Sequence, residues 1–236
     1  MSVLEEATRA IRETRPRRVV VLTGAGVSAD SGIPTFRGAG GLWRNFRAED
    51  LATPEAFRRD PKLVWEWYEW RRDLIRDARP NAAHEALARL PDALIVTQNV
   101  DSLHSGDVVE LHGNIFRVRC VREGNPRVHR EPFAEVPPHC DCGALLRPDV
   151  VWFGEALPQD AVARAVGAIA NADLLLVIGT SGVVYPAAGF VTLHRGLSIE
   201  INPETSGVSS ACTYAIPARA AEVTPAIVDA IMEARS

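Results

Sequence analysis

The apolar run Arg18-Val19-Val20-Val21-Leu22 gives way within two residues to Gly24-Ala25-Gly26-Val27-Ser28-Ala29. A buried strand that ends in closely spaced glycines narrows the folds open to this chain more than any other feature. The hexad fits G-x-G-x-x-G/A, in which glycines permit a tight turn and let backbone N–H groups approach a pyrophosphate. The phosphates then sit at the N-terminus of the helix that follows. Such turns also merely connect a strand to a helix, but the strand in front of Gly24 favours the phosphate reading. The acidic residue expected roughly 20 positions further on has no counterpart, because the chain runs into Pro34, Gly38, Gly40 and Gly41. A long loop takes the place of a simple βαβ unit.

Three more apolar runs end in polar or glycine-rich turns. They are Ala93–Thr97 before Gln98-Asn99-Val100-Asp101, Leu174–Ile178 before Gly179-Thr180-Ser181, and Leu197–Ile201 before Asn202-Pro203-Glu204. Continuous apolar strands suit a parallel sheet covered on both faces. Helical patterns at 81–90, 159–172 and 221–234 separate them. Strand and helix in alternation predict a doubly wound α/β fold, with ligands outside the carboxyl ends of the strands, so that the four turns line one crevice. Residues 1–36, 80–115 and 148–236 make up this large domain. Two insertions, 37–79 (loop plus helices) and 116–147 (three cysteines, several prolines, no clear periodicity), form a small module beside the cleft.

At 236 residues the chain is long enough for such an arrangement. Its net charge of −4 gives no electrostatic reason to expect nucleic acid or an anionic membrane as partner. No apolar run reaches the ~20 residues of a membrane span, and the N-terminal segment lacks the apolar core of a secretory signal. The expected setting is the cytoplasm, with reduced thiols. Cysteines at 120, 140, 142 and 212 are too few and too unevenly placed for a disulfide scaffold.

Taken in order, GAGVSADSGIPTFRG, Gln98-Asn99-Val100-Asp101, Leu111-His112-Gly113, Leu146-Arg147-Pro148 with Val151-Trp152-Phe153-Gly154-Glu155, Gly179-Thr180-Ser181 and Asn202-Pro203-Glu204 resemble one family, the sirtuins, NAD-dependent protein deacylases. The resemblance spans most of the chain. It implies a Rossmann-like doubly wound sheet with a small inserted helical or zinc-ribbon-like module, NAD as cofactor, and acylated lysine side chains of proteins as substrates.

Imidazole titrates nearest neutrality, which suits a base that takes a proton from a sugar hydroxyl. The resemblance assigns that task on the nicotinamide ribose to His112; the other five histidines are read as structural, His84 as packed among alanines on a helix. The implied reaction is attack of the acyl oxygen on C1' of the ribose as nicotinamide leaves, giving an alkylimidate that His112 helps to resolve. The products are free lysine, nicotinamide and O-acyl-ADP-ribose. The resemblance also implies a cofactor shell. Gly24, Ala25, Gly26, Ser28 and Gly179 border the phosphates, with Thr180 and Ser181 as donors. Asn99 and Asp101 frame the carboxamide, Gln98 before them also binds the cofactor, Phe36 and Arg37 close over it, Asn202 and Glu204 hold the adenosine ribose, and Ala220 borders the adenine.

On the helix around 63–76, Val64, Tyr68, Arg71 and Ile75 share one face, so an arginine lies within an apolar and aromatic stripe. Arg71 either stacks on Trp67 or binds a ligand. Sirtuins that remove malonyl and succinyl groups carry Tyr-x-x-Arg here and threonine in I-P-T-F-R, as at Thr35, and the resemblance implies a preference for acidic acyl groups held by Tyr68 and Arg71, with acetyl as a second substrate. The thiols depart from the family pattern of two cysteine pairs around zinc, for only Cys120, Cys140 and Cys142 remain. Either Glu123, His129 or His139 completes a site, or the zinc has been lost. Two rivals are a mono-ADP-ribosyltransferase, in which another nucleophile intercepts the ribosyl group, and a non-catalytic module that binds NAD or acyl-peptides.

Overall fold

Five consecutive apolar residues have nowhere to go but the middle of a covered sheet, and β1 is such a run. The computed structural model describes residues 1–35, 46–182 and 187–236. From the N-terminus come α1 (Val3–Thr14), β1 (Val19–Thr23), a 3-10 helix at Ala25–Ser31, α2 (Ala48–Leu51), α3 (Pro54–Arg59), α4 (Pro61–Arg76) and α5 (Ala82–Leu87). Next are β2 (Leu94–Thr97), β3 (Asp107–Glu110), β4 (Gly113–Cys120), β5 (Pro126–Val128), β6 (Leu146–Val150) and α6 (Gln159–Asn171). The chain ends with β7 (Leu174–Ile178), α7 (Ala187–Phe190), β8 (Leu197–Ile201), β9 (Tyr214–Ile216) and α8 (Ala220–Arg235).

Six parallel strands form the large sheet in the order β3-β2-β1-β7-β8-β9. Counted by its own members this is 3-2-1-4-5-6, the order of doubly wound dinucleotide-binding folds, with its switch point between β1 and β7. Successive side chains of a strand point to opposite faces, so Val19 and Val21 join Leu174 and Leu176 in the core under α1, α5 and α8. Val20 and Leu22 join Leu175 and Val177 in the core under α6. Both faces are therefore dry, which is why these strands read as unbroken apolar runs.

The small sheet is antiparallel, β5-β4-β6, and α4 packs on it. Proline at N1 and the Asp60 carboxylate, accepting from Leu63 N at 3.0 Å, start α4. Trp65, Trp67 and Tyr68 of α4 share a third core with Ile115, Phe116, Val118 and Leu146. Trp65 donates its indole N–H to the Leu146 carbonyl at 2.8 Å. Arg72 is fully buried among them. Its guanidinium donates to the carbonyls of His129 (2.6 Å), Glu131 (2.9 Å) and Ile115 (3.4 Å) and pairs with Glu69 at 3.0 Å. These bonds offset the cost of taking a cation out of water. The segment 116–147 thus contains strand structure that its sequence pattern did not announce.

Removing one member of a buried, hydrogen-bonded charge pair leaves the rest uncompensated. Arg72→Ala is expected to cost about 3–5 kcal/mol by that principle, seen as a lowered midpoint in urea unfolding; a change within experimental error would show that the carbonyls at 129 and 131 do not depend on it.

Candidate functional site

At the switch point two glycine turns meet backbone to backbone. Gly24 N donates to the Ile178 carbonyl at 3.0 Å and Gly26 N to the Gly179 carbonyl at 2.8 Å. A Cβ at Gly24 would lie 2.8 Å from the Gly179 oxygen, and one at Gly26 would lie 2.7 Å from the Gly179 Cα. Gly179 itself has φ +63°, a left-handed conformation that glycine adopts without strain. The chain then turns into a 3-10 helix rather than the α-helix expected after the fingerprint, with Gly24 as its cap.

These turns open into a cleft of about 1470 Å³ between the two sheets. Every described residue that the sequence assigned to the cofactor, to catalysis or to the acyl group lines it. Gly24, Ala25, Gly26 and Ser28 come from the first turn; Gln98, Asn99 and Asp101 from the second; Gly179, Thr180 and Ser181 from the third; Asn202 and Glu204 from the fourth; Ala220 from the start of α8; and His112, Tyr68 and Arg71 from the facing side. Phe36 and Arg37 lie outside the described residues.

Side chains tie the turns to one another. Asn99 Nδ2 donates to the Gly24 carbonyl (3.1 Å) and to Ser28 Oγ (3.2 Å), which occupies both of its amide protons. Asp101 accepts from Ser28 Oγ at 2.7 Å and from Leu103 N at 3.0 Å. Gln98 Nε2 donates to Thr180 Oγ1 (3.1 Å), and Asn202 Nδ2 to the Thr180 carbonyl (2.8 Å).

His112 caps the gap between β3 and β4. Its Nδ1 lies 2.9 Å from the Gln98 carbonyl. A carbonyl only accepts, so Nδ1 carries the proton and Nε2 keeps a lone pair. Burial pushes the imidazole pKa below 6.5, with the Gln98 bond working in the opposite direction. The ring is neutral at pH 7 and able to take a proton.

His84, read above as packed on its helix, is buried and structural and also bonds. It is buried beside the first turn, with Nε2 3.5 Å from Ser28 Oγ and Nδ1 3.4 Å from Asn81 N. The His104 ring lies 4.7 Å away, with Nε2 3.0 Å from Thr23 Oγ1, and burial beside His84 lowers its pKa to about 3. Two neutral imidazoles thus back the pocket. The one local trace of this in the sequence is His84 at the third position of a helix capped by Asn81.

Tyr68 and Arg71 line the cleft from α4. The Arg71 guanidinium stacks over Trp67 at 4.8 Å, so the aromatic stack and the cleft-facing position coexist. It is only 7% exposed, and burial lowers its pKa to about 10. Tyr68 is fully buried, which raises its pKa and keeps it a neutral phenol.

A separate cluster lies at the tip of the small module. Ligand atoms of Cys120, Glu123, Cys140 and Cys142 all fall within 4.8 Å of one another. Cys120 Sγ is 3.5 Å from Cys142 Sγ, and Cys140 Sγ is 3.9 Å from Glu123 Oε2. A tetrahedral zinc with bonds of about 2.3 Å spaces its donors roughly 3.8 Å apart, so three thiols and this carboxylate fit that ion. His129 instead lies flat on Phe133 at 4.0 Å, and His139 is not in the cluster. Cys212 stands apart; burial and Glu200 raise its pKa to about 12, leaving an inert thiol.

A sheet of order 3-2-1-4-5-6 whose glycine turns open onto an inserted module is an α/β fold of the dinucleotide-binding type. Residues 24–186 match the Sir2 family, and this chain belongs to that family. It is similar to NAD-dependent protein deacylase 2 of Pyrobaculum aerophilum, with 52% identity over 228 residues covering 91% of each chain. It also resembles the crystal structure of a Sir2 homologue in complex with NAD, at 44% identity and TM-score 0.91, covering 98% of this chain and 95% of the other. A mutant Sir2 homologue in complex with 2'-O-acetyl ADP-ribose matches at 43% identity and TM-score 0.91, covering 98% of both chains. Among the described residues no helix is long and apolar enough to cross a membrane.

Purified protein is expected to carry about one zinc per chain by metal analysis, and Glu123→Ala to release it to a chelator more readily. Zinc well below one per chain would show that three thiols and a carboxylate hold the module without the ion.

Proposed function

We propose that this chain is an NAD-dependent protein-lysine deacylase that prefers acidic acyl groups such as succinyl and malonyl and accepts acetyl as a second substrate. Support for the deacylase chemistry comes from His112, a neutral imidazole held at the cleft by the Gln98 carbonyl with Nε2 unprotonated. The relatives named as NAD-dependent protein deacylases and the neighbours solved with NAD and with acetyl ADP-ribose agree with it.

The glycine cradle and the cleft volume fit a dinucleotide. Bound NAD supplies the ribosyl carbon to which the acyl oxygen is transferred as nicotinamide leaves. The chain's own groups do the rest. Gly24, Gly26 and Gly179 let the backbone approach the pyrophosphate, and Thr180 and Ser181 border it. Asn99 offers its Oδ1 to the carboxamide, and the hydrogen-bonded Asp101 carboxylate sits beside it. His112 Nε2 accepts a proton from a ribose hydroxyl. Asn202 and Glu204 face the adenosine ribose, and Ala220 the adenine.

The acyl preference rests on Arg71. A guanidinium almost wholly removed from water, stacked on Trp67 and lining the cleft next to Tyr68, offers a planar fork to a terminal carboxylate. An acetyl group has nothing to place there.

Two measurements bear on this reading. The base works only when neutral, and its pKa lies below 6.5, so kcat/KM is expected to hold down to slightly acidic pH and then fall. His112→Ala is expected to lower kcat by roughly 100-fold or more and to remove that acid limb; an unchanged profile would assign the base elsewhere. Arg71→Met is expected to lower desuccinylation at least tenfold, mainly through KM, and far more than deacetylation of the same peptide. Unchanged desuccinylation would refute the acyl preference.

A further inference from the structure

Tyr68 and Arg71 come from one helix, but the tyrosine is held by a residue from another part of the chain. Trp152 follows β6, is 3% exposed, and donates its indole N–H to Tyr68 Oη at 2.9 Å. An indole N–H can only donate, so the phenol oxygen must accept. That bond takes one in-plane position at the oxygen and turns the hydroxyl proton to the other. Among the described residues that proton has no hydrogen-bond acceptor.

The indole itself has two further ring contacts. The Arg147 guanidinium lies over its ring at 3.4 Å, and Phe57 packs on it with centroids 5.2 Å apart. Glu155 accepts the Trp152 backbone N–H at 2.9 Å and binds Arg147 through both carboxylate oxygens at 2.6 and 2.9 Å. Arg147 also donates to the Val150 carbonyl at 3.0 Å. A ring fixed this way has little freedom to swing off the phenol.

We infer that Trp152 is a positioning residue for acyl specificity: its indole N–H fixes Tyr68 as an acceptor toward the protein, so that the phenol donates to the terminal carboxylate of an acidic acyl group beside Arg71. This inference rests on the acidic-acyl reading above and names a further residue that enforces it. Burial keeps the phenol protonated, in line with a donor role. Trp152 itself acts through Tyr68.

The test is a cycle of Trp152→Phe and Tyr68→Phe, read as the ratio of kcat/KM for succinyl-lysine over acetyl-lysine in one peptide, with Tm measured for each protein. Phenylalanine keeps an aromatic ring under Arg147 and removes the N–H. Loss of one hydrogen bond's orienting effect is expected to lower the ratio roughly three- to tenfold, carried by KM for the succinyl peptide. In the Tyr68→Phe background, where no hydroxyl is left to orient, Trp152→Phe should not change the ratio further. Arg147→Lys, which leaves the indole in place and removes its flat clamp, should lower the ratio in the same direction.

An unaltered ratio in Trp152→Phe and Arg147→Lys overturns the inference, as does an equal drop in both backgrounds, which would mean that ring packing and not the N–H matters. A wild-type enzyme with no preference for succinyl and no response to Arg71→Met overturns the acidic-acyl reading and this inference with it. A clear preference untouched by Trp152→Phe overturns the inference alone.

Discussion

The backbone contact of Gly24 and Gly26 with Gly179 is the constraint on which the rest of the site depends. Parallel strands β1 and β7 lie side by side at the switch point, so the turns that leave them must either diverge or touch. Here they touch, with hydrogen bonds at 2.8 and 3.0 Å that no side chain could accommodate. The other two turns are referenced to that contact: Gly179 N bonds the Ile201 carbonyl at the end of β8, and Asn99 Nδ2 bonds the Gly24 carbonyl. Four loops from four strands are thereby held as one surface, and a ligand that reads several of them meets a preformed site.

What the sequence made legible follows from the same physics. Strands covered on both faces have to be continuously apolar, and β1, β2, β7 and β8 stand in the sequence within a residue of where the structure has them. Edge and surface strands carry no such obligation. β9 is three residues long, β3 begins and ends in acidic residues at the sheet edge, and all of β5 is exposed, so none of them stands out in the sequence. The small sheet is held from α4 instead, through Trp65 and Arg72, and such contacts span 43 to 81 residues of sequence. Site residues on the turns were visible because motif spacing reports local backbone geometry. His84 was not, since its relation to Ser28 is tertiary and a histidine among alanines looks the same whether it packs or bonds.

Adjacent arginines on α4 show why burial alone does not assign a role. Residues one apart on a helix point about 100° apart. Arg72 faces the small sheet, where three carbonyls and Glu69 surround its guanidinium, and its work is to hold the segment around 129–131. Arg71 faces the cleft and lies against aromatic rings. A cation over a π face is stabilised by the ring, whereas a cation ringed by carbonyls is stabilised by spending its N–H donors on them. The second arrangement suits architecture; the first is the one on which the proposed acyl preference rests, although both side chains are hidden from water.

The same reasoning joins the chemical and specificity ends of the cleft. Val151 N donates to the His112 carbonyl at 2.9 Å, and the next residue, Trp152, reaches Tyr68. Two consecutive residues after β6 therefore bond to His112 and to Tyr68. β6 is anchored by pairing with β4, and the turn after it by the Glu155–Arg147 pair. On the proposed function, an acyl group seated against Tyr68 and Arg71 would be positioned relative to His112 through one short, doubly anchored stretch of backbone. In the proposed reaction that linkage ties recognition of the acyl terminus to placement of its carbonyl near the ribose, so that a loose fit at one end would be felt at the other.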